Sequence, residues 1–406
     1  MGKIQIDHTG SGGGITLSSD GTSLLVGGSA VGGADLYIAN PSSATDPTAG
    51  GTNAVGIGTD AVASGNNSIA LGDNATSAGV RSTALTYSHA GGVDSFAAGI
   101  GSSSSGRGAQ AGQAVAIGNN AYVQATESIG LGYYATIGSS GLRAVALGQS
   151  YANGNTSLAA VIGNNTSSYG ATGTQSISIA AYSQATAQNA VAIGYAGVAS
   201  GDNSTAVGYR NTASGTNASA YGSFGKASGA NSLALSTEPS GGYSEASATG
   251  SVAVGQNTLS SINGKYAYAS GRFAANGDAQ GGQFILRADT TDATATVLTT
   301  NNSTAAATNQ IVAASDTCIM FSGTLVAMQN GAQDQGGWEI KGLLKNDAGT
   351  TTLVSSNIQT FDDGNGWVVA LTADNTNNAL AVTCTGEASH NIRWVANIQT
   401  SEVTYA

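Results

Sequence analysis

The amino-acid sequence predicts an all-β protein, in which a parallel β-roll, or solenoid, with coils of about fourteen residues is followed by a C-terminal antiparallel β-sandwich. Three observations predict this fold class. A short phrase of the type AVAIG recurs at near-constant spacing, glycine supplies 60 of the 406 residues, and all three tryptophans lie after residue 283. Glycine this frequent does not sustain helices, whereas side-chain alternation with a period of two is typical of strands.

The repeats occupy residues 51–283. The residue that closes each phrase occurs fifteen times, and seven of the fourteen intervals between closing residues have the same length, fourteen. A weaker phrase lies between them and ends, for example, at Gly201 and Gly215. Two short strands and two turns per repeat predict a flattened coil that hydrogen-bonds to the coils on either side. The closing residues are Gly58, Gly72, Thr86, Gly99, Gly118, Gly132, Gly148, Gly163, Ala180, Gly194, Gly208, Gly222, Ser236, Gly255 and Gly271.

The two faces of one phrase differ in side-chain size. Val191 and Ile193 lie on one face, and Ala190, Ala192 and Gly194 lie on the other. The sequence leaves open which face points into the coil. Burying a branched side chain stabilises a coil by about 1.5–3 kcal/mol, against about 1–2 kcal/mol of backbone entropy for each ordered residue. A single roll is therefore marginal, and we expect the Ala and Gly face to let another chain approach closely in a homotrimer.

The segments on either side of the repeats have a different composition. Residues 1–50 predict a small N-terminal module of short strands, which ends in a turn-rich segment with Pro41 and Pro47. Residues 284–406 contain seven or eight alternating segments joined by Asn, Asp and Gly turns. This pattern predicts a jelly-roll-like β-sandwich, a tip domain with a larger core. Three tryptophans are expected in that core rather than at a receptor: Trp338, Trp367 and Trp394.

Composition disfavours several classes of partner. The formal net charge is −11 and Lys and Arg do not cluster, which argues against nucleic-acid binding. No run of 18 apolar residues is present, so no membrane insertion is expected. The opening segment, MGKIQIDHTGSGGG, lacks the apolar part of a secretory signal, and we therefore expect an unsecreted protein.

The chain has two cysteines, Cys318 and Cys384, each within an apolar, strand-like segment. One interpretation is a pair of buried thiols in a protein that is made in a reducing cytosol. The other is a disulfide between neighbouring strands. The sequence favours the first interpretation and leaves the second open.

No metal or cofactor site is predicted. His8, His89 and His390 lie far apart, and none has a Cys, His or carboxylate partner at ligand spacing. The segment FDDGNG would place Asp362, Asp363 and Asn365 on a calcium ion, but a hairpin turn explains the same residues better. In GSFGKAS, Gly225 and Lys226 lack the other residues of a nucleotide-binding loop, so this segment is interpreted as a coil turn.

Catalysis is not expected, although a glycan-cleaving enzyme is a less favoured alternative. Glycoside hydrolysis requires two carboxyl groups about 5–9 Å apart in a cleft. The acids of the repeats do not pair in sequence, but carboxylates of separate coils or chains can still meet. The acidic residues concerned are Asp60, Asp73, Glu127, Asp202, Glu238 and Glu245.

Two features are candidates for recognition. Tyr133, Tyr195 and Tyr209 each follow a closing glycine, where a turn would expose them for stacking on sugars. The favoured interpretation is that these rings pack on the next coil. The second feature is the insertion at residues 236–251, around Pro239, as a variable loop. No receptor-binding residue is predicted from either feature.

Repeats such as NAVAIGYAGVASGDNSTAVGYRNTASGTNASAYG resemble the head repeats of YadA-like trimeric autotransporter adhesins. The resemblance covers about residues 51–275. It implies a trimer of left-handed parallel β-rolls. Those adhesins also carry a signal peptide, a coiled-coil stalk and a membrane anchor, none of which is found in this sequence.

An unsecreted fibre without an anchor resembles a bacteriophage tail fibre. The segments GGWEIKG and GWVVALTADNTNNALAVTCTGEASHNIRWVANIQTSEV resemble terminal domains of phage tail proteins, and KIQIDHTGSGGGITLSSDG resembles the starts of phage fibres. The resemblance implies a structural and adhesive homotrimer of the virion tail, assembled in the host cytoplasm. Its N-terminal module would bind other tail proteins, and its distal end a host-surface glycan. The alternatives are the head of a bacterial surface adhesin and, less favoured, a tailspike that cleaves polysaccharide.

Overall fold

One repeat of the sequence suffices for two short strands and two tight turns, and a computed structural model of the chain has this arrangement. The structure describes residues 45–101, 106–161, 163, 168–238, 242–331, 334–363 and 366–405, and the backbone of four earlier strands. Every regular element in these residues is a strand, so the predicted all-β class is confirmed. The chain divides into two compact units, Met1–Thr172 and Gly173–Ala406.

The first unit begins with an antiparallel meander in which each strand pairs with the next. Its register places Ile4 opposite Leu17, and Leu17 opposite Val26. The rest of the predicted module up to residue 44 lies outside the described residues, and its last residues already belong to the roll, because Thr48–Ala49 pair in parallel with Val62–Ala63. The strands are β1 (Ile4–Ile6), β2 (Ile15–Ser19), β3 (Leu24–Val26) and β4 (Ser29–Ala30).

The remainder of the first unit is a parallel β-roll with two walls. Odd-numbered strands of two residues form the short wall, and even-numbered strands of three residues form the long wall. Coils pair in register, so that Ala84 of one coil lies between Ala70 and Ala97 of its neighbours. The strands are β5 (Thr48–Ala49), β6 (Val55–Ile57), β7 (Val62–Ala63), β8 (Ile69–Leu71), β9 (Thr76–Ser77), β10 (Thr83–Leu85), β11 (His89–Ala90), β12 (Phe96–Ala98), β13 (Gly108–Ala109), β14 (Val115–Ile117), β15 (Tyr122–Val123), β16 (Ile129–Leu131), β17 (Thr136–Ile137), β18 (Val145–Leu147), β19 (Tyr151–Ala152), β20 (Leu158–Ala160) and β21 (Gly170–Ala171).

The second unit contains a roll of the same kind. Its long-wall strands have three or five residues, and Ala206 pairs with Ala192 and Ala220. In this unit the even-numbered strands again form the long wall and the odd-numbered strands the short wall. The strands are β22 (Ile177–Ile179), β23 (Gln184–Ala185), β24 (Val191–Ile193), β25 (Val198–Ala199), β26 (Thr205–Tyr209), β27 (Thr212–Ala213), β28 (Ser219–Ser223), β29 (Gly225–Ala227), β30 (Leu233–Thr237), β31 (Ser244–Ala246), β32 (Val252–Gln256), β33 (Leu259–Ser260) and β34 (Tyr266–Ser270).

The interior of each coil is lined by alanine. Ala190 and Ala192 are completely buried, whereas Ile193 leaves 36% of its surface exposed. The expectation that the alanine face receives another chain is therefore wrong, because that face points into the coil. The physical reason is space. Two walls joined by such short turns lie too close together for branched side chains, which point outward instead.

Some larger or polar side chains also lie in this interior, where a small neighbour or a hydrogen-bond partner accommodates them. A Cβ on Gly130 would lie 2.7 Å from Val123 Cγ2, so the buried valine fits because its neighbour is glycine. Serine replaces alanine at several of these positions, and at some of them it finds a partner: the hydroxyls of Ser178 and Ser183 are 2.7 Å apart. A buried hydroxyl that keeps a hydrogen bond costs little stability, so the thin core tolerates these substitutions.

The turns require left-handed backbone at fixed positions. Gly208 has φ +119°, and a Cβ there would lie 2.0 Å from the carbonyl oxygen of Gly222 in the next coil. A glycine at this position is therefore needed for both conformation and close approach. The closing glycines of the phrase mark this requirement in the sequence.

Asparagine occupies the other left-handed position in successive coils of the second unit, with φ of 55–57°. Asn189 Nδ2 donates to Asn203 Oδ1 at 2.8 Å, and Asn203 Nδ2 donates to Asn217 Oδ1 at 3.0 Å. Asn217 continues the ladder to Asn231 at 3.0 Å. Asparagine adopts left-handed backbone more readily than most residues, so one residue type serves both the turn and the contact between coils.

In the first unit, charged pairs replace part of this ladder at the same turn. The guanidinium of Arg81 lies 2.5 Å from the carboxylate of Asp94, and Arg143 Nε lies 2.7 Å from Glu127 Oε2. The hydrogen bond from Arg81 lowers the pKa of Asp94 below its usual value. These pairs are solvent-exposed, so each contributes only modestly to stability.

The C-terminal domain starts where parallel pairing ends. Strand β34 pairs antiparallel with the next strand, with Tyr266 opposite Gln283. The sequence predicts a domain boundary at residue 284, and the first strand of the domain begins at Ala279. The strands are β35 (Ala279–Thr290), β36 (Thr296–Val297), β37 (Ile311–Val312), β38 (Thr317–Gln329), β39 (Gln335–Asp347), β40 (Thr350–Asp363), β41 (Val368–Asp374), β42 (Ala379–Thr385) and β43 (Ile392–Thr404).

Two antiparallel sheets share the core of this domain. The large sheet has the order β35, β43, β38, β39, β40, and in the small sheet β42 pairs with β36, β37 and β41. Trp394 is fully buried, and its ring centroid lies 5.6 Å from that of Trp338 and 5.5 Å from that of Trp367. The core interpretation of the three tryptophans is confirmed, since no more than 3% of any of them is exposed.

Both cysteines are free thiols, so the disulfide alternative is excluded. Cys384 is buried in the core of the C-terminal domain, and this burial raises its pKa to about 12. Cys318 lies on β38 and is half-buried. The thiol of Cys384 is consequently protonated and unreactive near neutral pH.

A buried ion pair ties the last coil of the roll to the C-terminal domain. Lys265 Nζ lies 2.7 Å from Glu402 Oε2, and the two side chains are only 6% and 9% exposed. Gln280 Nε2 donates to the same oxygen at 2.9 Å, and Thr400 Oγ1 donates to Glu402 Oε1 at 2.7 Å. Because each partner would be an uncompensated buried charge without the other, the pair specifies how the roll and the domain join.

We expect substitutions of Asn203 to separate the two contributions of the asparagine ladder. Asn203→Ala strains the left-handed turn and removes both amide hydrogen bonds, which should lower the free energy of unfolding by about 1–3 kcal/mol. Asn203→Gly keeps the turn unstrained and loses only the hydrogen bonds, so its loss should be smaller. Urea unfolding at a fixed protein concentration measures both. Equal losses for the two variants would contradict this explanation of the ladder.

Candidate functional site

The outward face of the long wall is apolar in the second unit. Residues at the first and third positions of its strands point away from the alanine interior, and none of them is charged. Ile193, Leu235 and Tyr268 are among those with more than a third of their surface exposed. The row consists of Ile177, Ile179, Val191, Ile193, Thr205, Val207, Ser219, Tyr221, Leu233, Leu235, Val252, Val254, Tyr266 and Tyr268.

The long wall of the first unit has the same character. Its outward positions carry Val, Ile, Leu, Thr, Ala or Phe, again with no charged residue. Ile69, Ile117 and Ile129 are the most exposed of them. A parallel sheet is normally covered on both faces, so an apolar outer face of this kind is a surface that another structure covers.

The short wall differs from the long wall in polarity. In the second unit its outward positions include Gln184, Thr212, Lys226 and Glu245. Lys226 Nζ lies 3.8 Å from the ring centroid of Tyr243, and Ser228 Oγ donates to Glu245 Oε1 at 3.2 Å. In the second unit the short wall is therefore a solvated surface with charged side chains, and the uncharged long wall is the candidate interface.

A groove of about 550 Å³ lies on the long wall near the end of the second roll. Tyr221, Leu235, Val254 and Tyr268 line its apolar side, and Thr237 and Gln256 line its polar edge. The groove exists because the outward side chains differ in size from coil to coil, whereas the inward side chains beneath them are alanine in each coil. It provides a shaped depression for an apolar group of a partner.

An aromatic ladder lies beside this wall, at the turn that follows the closing residue. The rings of Tyr195 and Tyr209 stack with centroids 5.4 Å apart. Tyr182 meets Tyr195 edge-on at 5.6 Å, and Phe224 meets Tyr209 edge-on at 5.4 Å. The packing interpretation of Tyr195 and Tyr209 is therefore confirmed, yet both rings remain 43% exposed. One ring can pack on the next coil and still present a face or edge to solvent.

A cation accompanies the ladder. The guanidinium of Arg210 lies 5.8 Å from the ring centroid of Tyr209 and 5.9 Å from that of Phe224. Tyr133, in the first unit, packs edge-on against Tyr134 at 4.5 Å rather than on an aromatic ring of the next coil. Flat exposed rings beside a multidentate hydrogen-bond donor are a chemically suitable surface for a sugar ring with hydroxyl or carboxylate groups.

A second depression, of about 600 Å³, lies in the C-terminal domain where β35, β38 and β43 approach their ends. Arg393 Nε lies 3.2 Å from Asp289 Oδ1 on its wall. Gln329 and Asn330 provide further polar groups. The cleft is lined by polar and apolar groups in similar measure and carries no cluster of catalytic type among the residues that line it.

The acids weighed for glycan cleavage serve contacts between coils. A hydrogen bond to Asp73 raises the pKa of Tyr87, and Asp60 adds a weaker electrostatic effect. The backbone N–H of Gln188 donates to Asp202 Oδ1 at 3.3 Å. Glu238 is buried and accepts a hydrogen bond from the backbone N–H of Asn257. Within one chain, these acids are held by their own neighbours.

The remaining candidates lie apart from one another. His89 is buried in β11, and His390 Nδ1 lies 2.8 Å from the carboxylate of Glu387. His8 lies outside the described residues. In the part of the chain that the structure describes, no three His, Cys, Asp or Glu side chains form a group that could hold a metal ion. The same residues include no helix that is long and apolar enough to cross a membrane.

Other motifs are parts of the fold. Asp362 and Asp363 end β40, and the N–H of Trp367 donates to the carbonyl of Asp363 at 2.7 Å. The predicted hairpin is wrong, because β40 belongs to the large sheet and the next strand, β41, pairs with β42 in the small sheet. Asn365 and Pro239 lie outside the described residues. Gly225 and Lys226 belong to strand β29, so the segment interpreted as a coil turn is a strand of the short wall.

Side-chain size along the repeats is a sequence signal for the outward face. Across the repeats the second position of the long-wall strand is Ala, Gly or Ser, whereas the first and third positions vary from Ala and Ser to Phe and Tyr. A position that tolerates only small side chains is confined, and a position of variable size is not. The Lys265–Glu402 pair has no such signal, because its members are 137 residues apart.

Comparison with known families agrees with this geometry. Six segments match the YadA head domain repeat, at residues 49–75, 63–85, 109–135, 171–196, 199–224 and 240–258. Together they cover about a third of the chain and fall on its coils. The resemblance to YadA-like heads, which are trimeric adhesins, is thus confirmed for the repeats. No curated protein matches the chain.

Proposed function

We propose that the chain forms a homotrimeric adhesive fibre, structural rather than catalytic, that attaches a phage tail to the host surface. The observation that carries the proposal is the apolar outer face of the long wall. Its uncharged rows need cover, and the matched YadA-like repeats belong to trimeric adhesins. Three copies in parallel, each turning its long wall toward the others, bury these rows against each other.

The trimer also supplies the apolar burial that a coil lacks. Inside a coil the buried side chains are mostly alanine, whose burial stabilises by less than that of Val, Leu or Ile. The larger side chains, such as Ile193 and Leu235, become buried only on assembly. Folding and association are therefore coupled in this proposal, and the stability of the roll depends on protein concentration.

Adhesion is assigned to the aromatic ladder of Tyr182, Tyr195, Tyr209 and Phe224. Its rings lie at the turn beside the long wall and remain partly exposed. Arg210 adds a multidentate donor at the same place. We assign a surface glycan as the ligand, because ring stacking and a guanidinium recognise the faces and polar groups of sugars.

Placement in a phage tail rests on the resemblance of the opening and C-terminal segments to phage fibres. In this proposal the fibre assembles in the host cytoplasm and the meander of β1–β4 belongs to the module that joins other tail proteins. The alternative, the head of a bacterial surface adhesin, is also compatible with the YadA-like repeats. Cleavage of polysaccharide is not part of the proposal, and incubation with purified host polysaccharide tests that exclusion.

A matched pair of threonines tests the trimer. Thr205 begins a long-wall strand and Thr212 begins the next short-wall strand, and both are half-buried. Thr205→Glu should place unpaired like charges in the interface and shift trimers toward monomers. Thr212→Glu, on the short wall, should leave the trimer intact. Sedimentation velocity measures both. Dissociation by both variants or by neither would refute the assignment of the long wall.

Variants of Tyr209 test the adhesive ladder. Tyr209→Ala should weaken binding to host-surface polysaccharide at least tenfold, about 1.4 kcal/mol, because a stacking ring is lost. Tyr209→Phe keeps the ring and should keep most of the affinity. Binding is measured on immobilised polysaccharide, with trimer content checked for each variant. Unchanged binding by Tyr209→Ala trimers would remove the ladder from the proposed receptor site.

Immunogold labelling distinguishes the two biological settings. Antibodies raised against the purified chain should label the tails of phage particles in lysates of producing cells. Labelling of intact bacterial surfaces in cultures that contain no particles would instead support the adhesin alternative.

A further inference from the structure

The large sheet of the C-terminal domain has an exposed face with an uncharged strip. The strip lies on the adjacent strands β38 and β43 and faces away from the tryptophan core. Met320, Val326 and Met328 are each at least half exposed. The uncharged strip consists of Met320, Thr324, Val326, Met328, Val395 and Asn397.

Charged side chains flank the strip on both sides. Arg287 and Asp289 lie on β35, and Glu339, Lys341 and Lys345 lie on β39. Arg393 of β43 lies opposite Met328 and closes one end of the strip. Register places Val326 between Gly337 of β39 and Val395 of β43, where the sheet surface is shallow and apolar. An uncharged centre with a charged rim is the usual composition of a protein interface.

The strip belongs to the same sheet face as the outer long wall of the second roll. Strand β34 pairs directly with β35, with Tyr266 opposite Gln283 and Ala267 opposite Gly282. Outward Tyr266 is thus followed on the same face by Gln283 and Ile285, whereas Ala267 and Phe284 face the interior. The alternation passes from roll to domain without a change of phase, so one face continues across both.

We propose that the uncharged strip packs against the C-terminal domain of a second copy of this chain, so that the subunit interface extends from the long wall onto this domain. The inference rests on the proposed trimer. Any copy that covers the long wall in parallel also carries its own C-terminal domain to the same side. The Lys265–Glu402 pair and the β34–β35 ladder hold the domain to the roll, so the strips of neighbouring copies meet.

A second copy fits this surface better than an unrelated partner. The strip is in phase with the rows that the trimer covers, and its position relative to them is set by backbone hydrogen bonds within the chain. An unrelated partner would need access to a face that parallel copies already approach. A purified chain therefore contains everything that this interface requires, and no further component is needed to test it.

Methionine oxidation reports on the strip without mutation. Met320 and Met328 lie at its two ends, on the same face of β38. In the purified trimer, both should be oxidised by hydrogen peroxide at least tenfold more slowly than N-acetylmethionine in the same solution. In the Thr205→Glu monomer their oxidation should accelerate toward the free rate. Peptide mass spectrometry gives the rate for each methionine.

A matched pair of valines provides the perturbation. Val326 on the strip is 59% exposed and Val368 on the small sheet is 53% exposed in the single chain. Val326→Glu should accelerate oxidation of Met328 while the roll keeps the protein trimeric. Val368→Glu should change neither the oxidation rate nor the trimer. Because the wild-type rates already test the proposal, failure of one variant to fold does not remove the test.

The outcomes separate this inference from the function on which it rests. Slow oxidation in wild-type trimers, accelerated only by Val326→Glu, supports the strip as a subunit contact. Oxidation at the free rate in protein that sediments as a trimer overturns the inference and leaves the trimer standing, with the strip open to a different partner. A wild-type chain that sediments as a monomer overturns both.

Discussion

The narrow space between the two walls of a coil is the constraint on which the rest of the molecule depends. With only a few residues in each turn, the walls approach until alanine, serine and glycine fill most of the interior, and larger residues such as Val123 and Ile137 lie beside Gly130 and Gly141. Each coil therefore buries little apolar surface of its own. The larger side chains of the strands, such as Ile193 and Leu235, point outward on the long wall. The roll therefore has a small and regular interior, and its larger apolar side chains lie on its outer face.

That division assigns different tasks to different parts of a coil. Backbone hydrogen bonds and the alanine rows hold successive coils in register. The side chains of left-handed turn residues bond to the equivalent residue of the next coil. The amide ladder from Asn189 to Asn231 and the charged pairs of the first unit occupy equivalent turns, so the same geometry accepts two kinds of contact. Aromatic rings occupy the other turn, where they pack on each other and stay partly exposed. Variation is therefore tolerated at the turns and on the outer faces, where a binding surface can change without altering the coil.

The C-terminal domain relies on different physical interactions. Its core lies between two antiparallel sheets and contains three tryptophans, so it buries much larger side chains than the alanine interior of the rolls. The connection between the two is nonetheless specific. Strand β34 continues the roll sheet into the large sheet, and the buried pair of Lys265 and Glu402 fixes the last coil against strand β43. One outer face consequently continues from the second roll onto the C-terminal domain. The alternation of inward and outward side chains does not change between them, so the uncharged positions of both lie on this face.

The amino-acid sequence by itself determined the class of fold, the coil length and the positions of most coil strands, because the repeat period and the alternation of side chains are local properties. It also determined that the tryptophans belong to a separate core. Only the tertiary structure decided which face of the strand lies inside, since that depends on the distance between two walls rather than on either strand. Tertiary structure also decided that Asp362 and Asp363 lie where the chain passes from the large sheet to the small sheet, and it paired Lys265 with Glu402. Contacts between residues far apart in the chain leave no trace in its local pattern, so the sequence alone does not predict them.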